Sequence, residues 1–102
     1  MDQGLQYLKI KRYEKAVGEF LKVLEIEPEN EVAEYNVACA YSLWGKTDDA
    51  LKHLARAIEL GFDDVEHIDK DPDLDPIRQH ERFKALTGPL RGRKPEEKEG
   101  ER

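Results

Sequence analysis

The sequence has one cysteine, one methionine, one tryptophan and two threonines among 102 residues. A lone Cys39 excludes an internal disulfide and a cysteine-based zinc site. Five valines and five isoleucines, with so little threonine, argue against a sandwich or barrel, whose strands favour β-branched side chains. The longest stretch without a charge runs over residues 35–45, against the roughly 20 apolar residues a membrane-spanning helix needs. Met1-Asp2-Gln3-Gly4 lacks the basic and apolar start of a secretory signal. No membrane contact is therefore expected, and a cytoplasmic location follows. A net charge of −6 argues against nucleic-acid binding, which draws its affinity from basic side chains on phosphates.

What is present points to helices. Charged residues make up 39% of the chain. Ala, Glu, Lys, Leu and Arg supply about half of it, the composition of helical assemblies. Leu, Ile, Val and Phe together number 24, above the level at which disorder is the default. The length suits one small domain.

A repeat of 34 residues runs through the first part of the chain. That step carries Tyr7 onto Tyr41, Ala16 onto Ala50, Phe20 onto Leu54 and Leu24 onto Ile58, with Gly4 falling on Ala38. Each copy reads as two antiparallel helices. In the first copy they cover residues 2–11 and 13–27, ended by Pro28. In the second they cover 31–44, with Asn30 as N-cap, and 48–60, with Thr47 as cap and Gly61 as stop. Small residues at Gly4, Ala16, Ala38 and Ala50 suit close helix crossings, and Tyr7, Phe20, Tyr41 and Leu54 fill the space beside them.

Here the chain resembles the tetratricopeptide repeat family. Gly4, Tyr7, Ala16, Phe20 and Pro28 stand at the family spacing in the first copy. Val37-Ala38, Tyr41, Ala50 and Leu54 do so in the second. Glu34 departs where an aromatic is expected, and Phe62 where proline is expected. The fold class implied is all-α: antiparallel helix-turn-helix repeats in a short solenoid with C-terminal capping helices. Repeats at about 1–30 and 31–64 and a closing segment at 65–90 would form one domain over residues 1–90.

A terminal repeat leaves an apolar flank that needs cover. Phe62, Val65, Ile68, Leu74, Ile77, Phe83 and Leu86 can supply it. Helices are expected at 64–70 and from about 76 or 79 to 86, stopped by Thr87-Gly88-Pro89. Residues 91–102 hold five basic and four acidic side chains and no apolar one, which reads as a disordered charged tail.

The chemistry-bearing residues do not form a catalytic pattern. Asp69, Asp71, Asp73 and Asp75 alternate as in a calcium loop, yet the sixth and twelfth places hold Leu74 and His80 instead of glycine and glutamate. These aspartates read as caps of turns and short helices. His53, His67 and His80 lack helical ligand spacing, and Cys39 has no neighbouring base. No enzyme, metal or cofactor is expected. Trp44 reads as core packing at the end of its helix.

The resemblance also implies a site. In the family, the first helices of successive repeats line a concave groove for a peptide or partner helix. By register, Leu5, Leu8 and Lys9 face it from the first copy. Val32, Tyr35, Asn36, Cys39, Ser42 and Leu43 face it from the second. Asn36 matches the family's peptide-binding asparagine, whose amide donates and accepts. The clamp that grips acidic chaperone tails is not reproduced: Met1 and Leu5 stand in place of its first lysine and asparagine. The implied function is a protein-interaction module for a basic or apolar partner. Self-association into a homodimer, completing the stack with another copy, is the alternative.

Overall fold

A computed structural model describes residues 2–93, with side chains through Arg91. Its helices are α1 Asp2–Lys9, α2 Tyr13–Ile26, α3 Glu31–Trp44, α4 Thr47–Glu59, α5 Val65–Lys70, a 3-10 helix Pro72–Ile77 and α6 Glu81–Arg93. No strand occurs among the described residues. Helices α1 to α4 pack each against the next, and the closing elements lie over α3 and α4.

One local device ends three of the helices. Lys11, Gly45 and Gly61 all have positive φ, at 64°, 86° and 113°. In each case the two amides past the last turn bond back into it, as with Lys11 to Leu8 and Arg12 to Tyr7. This left-handed cap satisfies carbonyls the helix leaves open. Gly45 and Gly61 meet its backbone demand freely. Lys11, 34 positions before Gly45, carries the same conformation against the steric cost of a Cβ.

At the N-termini, Asn30 accepts from the Ala33 amide at 2.9 Å, as its side chain suggests. Thr47 does not cap α4: it is the first helical residue, and the cap position belongs to Lys46. Asp64 caps α5 by accepting from His67 N–H, and Asp71 caps the 3-10 helix by accepting from Asp73 N–H.

The core forms two joined clusters. Ala16, Val17, Phe20, Val37 and Ala40 make the first, with Tyr7, Leu24 and Trp44 against it. The second runs from Ala38 and Ala50 through Leu54 and Ala57 to Val65, Ile68, Leu74, Ile77, Phe83 and Leu90. Tyr41 touches both. The closing segment thus buries its apolar side chains on the flank of α3 and α4. Trp44 stacks on Tyr41 with centroids 6.0 Å apart. At Glu34, where the repeat pattern wants an aromatic, a buried carboxylate meets His53 Nδ1 at 2.7 Å, and Tyr41 covers that imidazole.

The last helix is longer than its sequence suggests. Thr87-Gly88-Pro89 does not stop it, and residues 91–93 continue it where a tail was expected. An interior proline costs a helix about 3 kcal/mol or more. Here Leu90 is buried beyond it, Thr87 Oγ bonds the Phe83 carbonyl, and Arg91 reaches both Thr87 and Asp69. Residues 94–102 of the expected tail lie outside the described residues.

Candidate functional site

Helices α1 and α3 each contribute one face to the same cavity. Val32, Tyr35, Asn36 and Cys39 recur at three- and four-residue steps, so they share a face of α3. Leu5 and Leu8 do the same on α1. These six side chains line a cavity of about 550 Å³. The opposite wall comes from the closing segment: Phe62, Asp64, His67, Asp71 and Asp73.

The other three residues assigned to the groove by register do not line this cavity. Lys9 is exposed at the end of α1. Ser42 is only 1% exposed and so is buried away from the groove. It is a correction to the register assignment. Leu43 is half-buried on the far part of α3.

Asp71 organises the floor. Its Oδ2 accepts the Tyr35 hydroxyl at 2.7 Å and the Cys39 thiol at 3.7 Å. His67 Nε2 lies 3.4 Å from the same oxygen. Its Oδ1 accepts the Asp73 amide. The Asp71 carbonyl in turn accepts from Arg78 at 2.5 Å, and Arg78 also holds the Ile68 carbonyl. The Tyr35 ring stacks on Phe62, with centroids 4.1 Å apart and planes 4° from parallel. His67 stands edge-on to both rings.

This environment suppresses ionisation of the buried donors. Burial, then Cys39 and Asp71, push the Tyr35 phenol far above its usual range. Burial and the Asp71 charge raise the Cys39 thiol. Neither is an activated nucleophile, which needs a lowered pKa or an adjacent base. Asp73 is also raised, first by burial and then by Asp71 and Asp75.

Cys39, Asp71 and Asp73 place three potential metal-ligand atoms within 4.8 Å of one another, a grouping that sequence spacing does not reveal. The Asp71 carboxylate is already taken up by Tyr35, Cys39, His67 and the Asp73 amide. The aspartates at 64, 71 and 75 otherwise serve as caps and as a partner for Arg78.

The closing-segment wall is the part sequence reasoning missed. Phe62 carried a signal, since it replaces the repeat's proline. Asp71 and Asp73 stood out as an alternating aspartate run and His67 as a lone histidine, but nothing placed them or Asp64 against α3, because they sit on short elements without a period.

Paired antiparallel helices, a 34-residue step and a concave face are now joined by a direct comparison. Residues 2–30 match the sequence profile of the tetratricopeptide repeat. The match assigns this stretch to the tetratricopeptide repeat family. Among curated proteins, the chain is similar to a chloroplastic protein of Arabidopsis thaliana. The two are 39% identical over 87 residues, which is 82% of this chain and 26% of the relative. The chain therefore spans about a quarter of the length of that relative. No solved structure matches it.

Proposed function

We propose that this tetratricopeptide-repeat domain is a non-enzymatic protein-interaction module that holds an extended peptide or a partner helix between α1, α3 and the closing segment. One observation carries the reading. Leu5 and Val32 remain 42% and 43% exposed on the wall of a cavity of about 550 Å³, above the buried Tyr35 and Cys39. Exposed apolar side chains lining a concavity mark a binding surface more than isolated ones do. Asn36 sits beside them, and an amide there can both accept from and donate to a peptide backbone. Residues 1–90 then work as one unit, two repeats with a closing segment that walls the groove as well as capping the stack.

Self-association is the second reading. Ile10 and Ile26 are 62% and 82% exposed, and Leu21 is 37% exposed, so α2 and the end of α1 offer apolar side chains outside the groove. Sedimentation over a concentration range separates the two: a module for other proteins stays monomeric.

Among the described residues no helix is long and apolar enough to cross a membrane. The cytoplasmic expectation stands beside a relative named as chloroplastic. We propose a reducing aqueous compartment, which suits an unpaired Cys39.

The groove assignment is tested by backbone chemical-shift mapping with peptides selected on the intact chain. Shifts should gather at Leu5, Leu8, Val32 and Asn36. A map centred on Leu51, Ala55 and Leu86, which line a second cavity of about 290 Å³ between α4 and α6, would overturn it.

A further inference from the structure

The two walls of the groove differ in chemistry. Leu5, Leu8 and Val32 make one side apolar. Asp64 and Asp73 stand on the other, and among the described residues no lysine or arginine lines the cavity. The single lining side chain able to carry positive charge is His67, which faces Asp71. Asp71 is itself engaged by Tyr35 and Cys39. Asp64 and Asp73 form no ion pair among the described residues.

We infer that the groove selects a segment carrying a lysine or arginine next to an apolar side chain, the apolar group on Leu5, Leu8 and Val32 and the cation at Asp64 and Asp73. The inference rests on the peptide-groove reading and adds to it the charge of the occupant. Complementary charge sets specificity and encounter more than raw affinity. A long cationic side chain also suits the geometry: its methylene stem can lie on the Phe62 ring while its head reaches the carboxylates. Residues 61–90 carry a net charge of −4, so the whole closing segment attracts a basic segment toward this end of the groove.

The test is a selection of randomised octapeptides displayed on phage against the immobilised intact chain, run in parallel on the Asp64→Asn, Asp73→Asn double variant. Asparagine caps a helix as well as aspartate does, so α5 keeps its start. The Asp73 carboxylate accepts no hydrogen bond among those the structure shows, so the change removes none, and the melting temperature checks the fold. The wild type should enrich lysine or arginine beside a leucine-like residue. The variant should keep the apolar preference and lose the basic one. A synthetic copy of the selected peptide should bind the variant about three- to tenfold more weakly, the size of two partly exposed ion pairs. The same loss should follow when its lysine is replaced by norleucine, whatever the variant's stability. Enrichment of acidic peptides, or of apolar ones without regard to charge, overturns the cationic inference and leaves the groove. Failure to enrich any sequence, or selected peptides that map outside the groove, overturns the groove reading itself.

Discussion

The hydroxyl of Tyr35 donates to Asp71 Oδ2 at 2.7 Å across 36 positions of sequence. It joins the groove face of α3 to the cap of the 3-10 helix. Tyr35→Phe keeps the stacking on Phe62 and removes only the donor, so it should cost roughly 1.5–3 kcal/mol, the range for a hydrogen bond to a charged group. Asp71→Ala strips partners from Tyr35, Cys39 and the Asp73 amide together and should cost more. A double-mutant cycle by urea unfolding should return a coupling of about 0.5–3 kcal/mol. Additive losses would mean the bond does not tie the two elements.

Gly4 lies against the Phe20 ring. A Cβ placed there would fall well inside contact distance of Phe20 Cε1, and Phe20 is fully buried. Gly4→Ala improves helix propensity yet overpacks this crossing. We expect a net loss of about 1–3 kcal/mol, read as a lower urea midpoint. A gain would show that α1 can move off α2 freely.

Lys11 holds φ at 64° in the turn that ends α1. Lys11→Gly should stabilise the chain by roughly 0.5–1 kcal/mol, because glycine adopts this region without a Cβ clash. The same change at an ordinary helical position would destabilise. Thermal unfolding at fixed pH distinguishes the two.

Asp73 titrates above the usual carboxylate range because of burial, Asp71 and Asp75. A raised acid pKa means the folded state binds its proton more tightly than the unfolded chain does. Stability from this group is present below the unfolded pKa and is lost as pH rises through the folded one. Asp73→Asn should therefore gain on the wild type at neutral pH, and the gap should close on acidification. A gap that widens in acid would reverse the sign.

The repeat half of the molecule was readable because packing repeats with the helix period. Ala16, Ala50, Phe20 and Leu54 are all fully buried, where spacing put them. Leu5, Leu8, Val32 and Asn36 gather around one cavity because helical register alone orders a face. Ser42 escaped that logic, since register orders a face without showing how deeply each of its turns is buried. The second wall escaped it too. Asp71 reaches Tyr35 and Cys39 only after the chain has turned at Gly61 and again after Lys70, and such returns leave no period. Pro89 misled for a related reason: Leu90 and Arg91 find tertiary partners that carry the helix past a local breaker.

The central claim is that the face shared by α1, α3 and the closing segment holds a partner segment. Its most direct test is a set of intermolecular NOEs from a selected peptide to the methyl groups of the intact chain. The account predicts contacts from the peptide's apolar side chain to Leu5, Leu8 and Val32. Contacts to Leu51 and Leu86 instead, with none to those three, would contradict it.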